Sequence, residues 1–179
     1  PGQPIRTIQL LGNAHRLLKE FYVPGVHRLE VVTESPKGAQ VALLFSVYVD
    51  QEAPELRPIL PSKQPVANPR EAEKWLLAET NRIRREHGLA ALKPFALFEP
   101  LAREHSAYMA VAGVVAHKIP GKTNGVPDRA SKLAHPRARH HQNVGAGIDQ
   151  WEVFRAVQDS LGHFKTLLCR ECTHVSIGA

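Results

Sequence analysis

Five prolines recur every three or four residues between positions 54 and 69: Pro54, Pro58, Pro61, Pro65 and Pro69. Proline has no amide hydrogen and a fixed φ, so such a run sustains neither a helix nor a central strand. The sequence predicts an extended, semi-rigid linker over residues 51–70. A chain interrupted in this way must build its structure separately on the two sides, over 1–50 and over 71–179.

The first side is patterned for β structure. Ile5, Thr7, Gln9 and Leu11 alternate with Arg6, Ile8 and Leu10. Val23-Pro24-Gly25 is a turn signal, and the next residues, Val26 to Thr33, alternate with a period of two. Ser35-Pro36-Lys37-Gly38 is a second turn, followed by the Val-, Leu- and aromatic-rich run Val41–Val49. Two β runs bracketing a Pro/Gly turn predict a hairpin. With His15–Val23 as a further strand, about four strands fit. They suit a partial sandwich or a sheet that docks on its neighbour.

The second side is helical. Asn68 is placed to cap, Pro69 suits the first helical position, and Glu71 stands three residues after the cap. Leu76, Thr80, Ile83 and His87 form a stripe that Gly88 ends. Further helices are predicted over Glu99–Ala112, Pro127–Leu133, Glu152–Ser160 and Gly162–Leu168. Gln142–Ile148 and His174–Ala179 read as strands. The expected class is α+β, with helices flanking a small sheet.

Composition excludes several functions. The net charge of +6 divides into +2 over residues 1–70 (8 basic, 6 acidic) and +4 over 71–179 (15 basic, 11 acidic), so no basic platform for nucleic acid is concentrated anywhere. The densest run, Arg82, Arg84 and Arg85 between Glu79 and Glu86, reads as a solvated helix face. No stretch is long and apolar enough for a transmembrane helix. The chain opens on Pro1-Gly2-Gln3-Pro4 without an initiator Met, as expected of a processed protein or of part of a longer one. The two cysteines, Cys169 and Cys172, suit a small local disulfide in an exported protein. Free thiols and metal ligation, with His174 as a third ligand, are the alternatives.

Several short motifs follow one another in a recognisable order. They are Leu76–Arg84 leading to Gly88-Leu89-Ala90-Ala91-Leu92, then Ala116-His117-Lys118-Ile119-Pro120-Gly121, then Val126-Pro127-Asp128-Arg129. Next come Gln142-Asn143-Val144-Gly145-Ala146-Gly147, Ser160-Leu161-Gly162-His163 and Thr173-His174-Val175-Ser176-Ile177-Gly178. This order resembles the bacterial type of CAP domain, found in the cysteine-rich secretory, antigen 5 and pathogenesis-related proteins. The resemblance covers about residues 71–179 and implies an α-β-α sandwich. It also implies further strands after Ile177-Gly178; either these belong to a longer protein, or the sheet is completed otherwise, with its open edge covered by residues 1–50 or by a partner chain.

The resemblance implies a cleft formed by His117, His163, Asn143 and the residue before it. That residue, usually an acid, is Gln142 here. Two neutral imidazoles, His117 and His163, can hold zinc or another divalent metal and leave positions open for water. An amide at position 142 orients an imidazole but adds no charge and takes no proton near neutral pH. Asp159 is the acid nearest the place of a second family carboxylate. Ser160 reads as a helix cap rather than a nucleophile, and Gly145-Ala146-Gly147 is too short for a phosphate loop. His140 and His141, read on a strand, point to opposite faces, so only one of them joins the cleft. His135 is expected on a surface loop and His105 as a buried, satisfied histidine.

The implied function is an exported, non-catalytic binding or structural module, secreted, periplasmic or at the cell surface. Its expected partner is a protein or an envelope assembly, with lipid or sterol as a further class and no nucleic acid. The alternative is a metal-dependent hydrolase or peptidase using His117 and His163.

Overall fold

The computed structural model describes residues 21–35, 38–55, 68–119, 126–133 and 139–179. The expected strands at Ile5–Leu11 and from His15, the Pro36-Lys37 turn, the linker prolines Pro58, Pro61 and Pro65, and His135 lie outside these residues.

The hairpin forms as its pattern requires. β1 (Gly25–Ser35) pairs antiparallel with β2 (Gly38–Val49), from Gly25↔Val49 to Ser35↔Gly38. The register slips between Val31↔Leu43 and Val32↔Val41, leaving Ala42 as the extra residue of a bulge. The β1–β2 pair is a sheet of its own, and Val26, Val31, Val32, Leu43 and Phe45 are exposed on it.

α1 (Pro69–Glu86) starts where the sequence signals it: the Asn68 side chain accepts from the Glu71 amide at 3.0 Å. Its end is set by Gly88, whose φ of 68° a β-carbon would disfavour. α4 (Gln150–Asp159) and α5 (Leu161–Leu167) pack on α1. Ile83, Phe154, Val157 and Leu167 form the core there, with Trp75, Leu76, Phe164 and Leu168 against it. α2 (Glu99–Ala112) buries Leu101 and His105, and α3 (Val126–Leu133) lies against α2, joined to it by an Arg129–Glu104 ion pair. Glu73, 8% exposed, receives both arms of Arg103 at 2.7 and 2.8 Å and so ties α1 to α2.

One residue of the basic run departs from expectation. Arg82 is a surface residue, paired with Glu79 at 2.8 Å and Glu86 at 2.5 Å, and Arg85 is exposed. Arg84, by contrast, is 1% exposed. Its guanidinium donates to the carbonyls of Ala90, Leu167 and Cys169, each at 2.9 Å, and of Cys172 at 3.4 Å. Five fixed donors let one side chain satisfy carbonyls from three segments, so its burial is tolerated.

The predicted strands are shorter than their patterns. β3 (Lys93–Pro94) pairs in parallel with β4 (His174–Val175), and the rest of His174–Ala179 leaves the sheet. Ser106 Oγ donates to the Gly178 carbonyl at 2.7 Å, holding the segment on α2 instead. Gln142–Ile148 is extended but unpaired. The Asn143 amide donates to the His163 carbonyl at 3.0 Å, and the Ile148 amide is used by Glu152 at 2.6 Å in the cap of α4. Among the described residues the β1–β2 hairpin does not extend the β3–β4 pair, so it does not cover that edge by strand pairing.

Two substitutions test these contacts. Arg84→Lys, which presents fewer donors and no planar fork, is expected to lower unfolding free energy by about 3 kcal/mol. Urea denaturation measures it, and an unchanged midpoint would refute the role given to the guanidinium. A β-carbon on Gly178 would lie 2.4 Å from the Ala102 carbonyl carbon. Gly178→Ala is therefore expected to lift the C-terminal segment from α2, seen as faster amide exchange of residues 176–179.

Candidate functional site

The His117 ring is placed from below. His105, 2% exposed on α2, donates from Nε2 to the Ala116 carbonyl at 2.6 Å and so pins the residue next to His117. Its Nδ1 has no hydrogen-bond partner, so this buried histidine is only half satisfied, short of what its pattern suggested. Burial pulls its pKa below the usual 6.5, and the His117 and Arg129 charges act in the same direction. The His117 Nδ1–H donates to the Gln142 amide oxygen at 3.1 Å, which leaves the Nε2 lone pair as the donor this ring can offer a metal.

His117 and Gln142 open on a cleft of about 380 Å³, lined also by Lys118, Asp128, His140, His141 and Thr166. Both His140 and His141 face it, contrary to the strand reading, because the segment before Gln142 is irregular and does not alternate. His140 packs edge-on against Phe98. His163 and Asn143 do not line the cleft itself. They are joined to each other by the bond from the Asn143 side chain to the His163 carbonyl. His163 is nonetheless close enough to His117 to feel its charge: burial first, then His117, lowers its pKa from 6.5. Imidazole nitrogens are ligands for a divalent cation, while Gln142 contributes an amide and no charge. Among the described residues, no third histidine, cysteine or acid converges with His117 and His163 to complete a metal set.

The acid nearest His163 in its electrostatics comes from an unexpected place. Glu30, on β1, accepts from Ser160 Oγ at 2.7 Å and from the Gly162 amide at 3.1 Å, and its charge raises the His163 pKa against the other two causes. Ser160 also caps α5 by accepting from the His163 amide at 3.3 Å. The hairpin is thus held at the start of the helix that carries His163. No motif marks Glu30 in the sequence; it is one polar position of an alternating strand, and its partners lie 130 residues away. Asp159 is on the far side of this reading: it is half exposed and pairs with Arg155 at 3.6 Å.

Cys169 and Cys172 are joined by a disulfide. This is the expected pairing; His174, the third ligand of the alternative metal reading, is turned elsewhere, with Nδ1 at 2.8 Å from the Thr173 hydroxyl and its ring against Phe95. His141 instead lies beside the two sulfurs.

Histidines with depressed pKa values take up protons in the unfolded chain first. Stability contributed by His105 and His163 is complete above pH 6.5 and is lost as the pH falls through 6.5 toward their folded values. Urea midpoints between about pH 7.5 and 5 are expected to fall, and to fall less steeply in His163→Gln. Equal slopes would contradict the burial of that ring. In Glu30→Ala the His163 pKa, read by NMR titration, is expected to drop further, because the one charge that raises it is gone.

A family model for the cysteine-rich secretory protein family (CAP) matches residues 77–179. Two solved structures share the fold. One is an outer surface protein of Borrelia burgdorferi, with TM-score 0.53 and 20% identity over 59% of this chain and 78% of that one. The other is an extracellular protein containing a SCP domain from Bacillus anthracis, with TM-score 0.54 and 23% identity over 62% of this chain and 37% of that one. No curated protein sequence matches this chain.

Proposed function

This chain belongs to the cysteine-rich secretory (CAP) protein family, and on that premise we propose that it is a non-catalytic binding module of the cell envelope or extracellular space, with a histidine cleft that holds a divalent metal. The observation that carries this reading is the His117–Gln142 contact of 3.1 Å. The amide orients the imidazole and keeps its Nε2 lone pair available, yet it accepts no proton, so the pair favours holding a ligand over general-base chemistry. Location outside the cytoplasm rests on the similarity to an outer surface protein and an extracellular one. No helix among the described residues is long and apolar enough to cross a membrane. Exposed Val26, Val31, Leu43 and Phe45 on the hairpin favour a protein partner over a lipid or sterol held in the cleft, since the cleft is lined mostly by polar side chains.

The competing reading, a metal-dependent hydrolase or peptidase, needs a carboxylate free to take a proton. Glu30, beside His163, has both its oxygens accepting hydrogen bonds, which leaves Asp128 on the cleft lining as the acid this reading would use. Zinc titration calorimetry on the disulfide-intact protein tests the proposal. Saturable binding is expected in the parent, lost in His117→Ala and in His163→Ala, and tighter by about tenfold in Gln142→Glu, which restores a charge. No binding in the parent would remove the metal from the reading. Zinc-dependent hydrolysis of casein that disappears in His117→Ala would establish the hydrolase instead.

A further inference from the structure

The Cys169–Cys172 turn is held in place by more than its disulfide. Arg84 donates to the carbonyls of both cysteines, the Cys169 amide bonds to the Thr166 carbonyl at 3.2 Å, and the Lys93 amide takes the Thr173 carbonyl at 3.0 Å. None of these bonds involves sulfur, so opening the disulfide leaves the backbone of the turn where it is. The ligand atoms of His141, Cys169 and Cys172 all lie within 4.8 Å of one another. Metal–ligand bonds of about 2.0–2.3 Å at tetrahedral angles place their donors roughly 3.5–3.8 Å apart, so the three need only small side-chain movements to enclose an ion. His141 is exposed and the sulfurs half-buried, which gives an ion a path in and leaves a fourth position for water.

We propose that the reduced Cys169-Cys172 turn, together with His141, is a site for a divalent transition metal of zinc type, and that the disulfide closes it. The two states exclude each other because each sulfur is needed for both. A dithiol supplies the two electrons that break the sulfur–sulfur bond and becomes a disulfide itself, and its two protons pass to Cys169 and Cys172. Binding then releases two protons to solvent and forms two metal–sulfur bonds and one bond to neutral His141. Two thiolates and an imidazole form a soft, charge-neutralising set of the kind zinc and cobalt prefer. The site thus responds to redox conditions: closed where disulfides persist, open where a dithiol is present. It borders the cleft through His141 but uses neither His117 nor His163 as a ligand.

The test uses cobalt(II) chloride as the probe, added anaerobically to protein reduced with dithiothreitol and then desalted. The reduced protein is expected to develop sulfur-to-cobalt charge-transfer absorption that, in the His117→Ala background, saturates at about one ion per chain and is discharged by zinc. The oxidised protein should show none. His141→Ala is expected to weaken cobalt binding by about tenfold or more, and Cys169→Ser to abolish the charge-transfer band. His117→Ala should leave the band unchanged, which separates this site from the cleft. The proposal is overturned if the reduced protein gives no band or if His141→Ala binds as tightly as the parent. It is equally overturned if the disulfide resists dithiothreitol while circular dichroism shows the protein folded.

Discussion

The guanidinium of Arg84 ties together the backbones of three segments. It satisfies the carbonyl of Ala90 in the loop after α1, that of Leu167 at the end of α5, and those of both cysteines in the following turn. Helix C-termini leave carbonyls unpaired and carry partial negative charge, so a cation there gains from both effects. Burial draws the guanidinium pKa down through desolvation. Arginine nonetheless keeps its charge at neutral pH. The apolar cluster of Ile83, Phe154, Val157 and Leu167 supplies the bulk of the driving force, but it is not directional. Arg84 fixes the angle at which α5 ends and hence where the cysteine turn begins.

From that fixed end the cleft is assembled by backbone contacts more than by side chains meeting side chains. Asn143 holds the His163 carbonyl, His105 holds the Ala116 carbonyl, and Ser160 caps the turn that starts α5. Each of these polar side chains brings a functional histidine to its place without touching its ring. Only the His117–Gln142 contact acts on an imidazole directly. The cleft is therefore lined by His117, His140, His141 and Gln142, with Lys118 and Asp128 as its charged members.

Glu30 connects the two halves that the proline run separates. Its carboxylate meets a hydroxyl and an amide at the start of α5, where orphan N–H groups attract negative charge. A two-stranded hairpin alone is marginal in water, and this anchor gives it a defined neighbour. The anchor also places a charge near His163, so the hairpin and that histidine are electrostatically linked.

Local chemistry alone made much of the fold legible. Asn68, Pro69 and Gly88 bound α1, Ser160 caps α5, and the alternation from Val26 to Val49 is the hairpin, because caps, φ restrictions and period-two burial act within a few residues. The order of motifs likewise marked His117 and Gln142, whose side chains meet at 3.1 Å, while His163, expected beside them, does not line their cleft. Tertiary structure decided the rest. It buried Arg84 out of a run that reads as solvated, since only folding brings four carbonyls to one guanidinium. It kept Gln142–Ile148 out of any sheet by using its polar groups for the His163 carbonyl and the α4 cap. It turned His141, not His174, to the cysteines, and brought Glu30 to Ser160 across 130 residues of chain. These are contacts between segments distant in sequence. Periodicity and capping carry no information about such pairs, because the free energy that selects them comes from satisfying buried polar groups once the chain has packed.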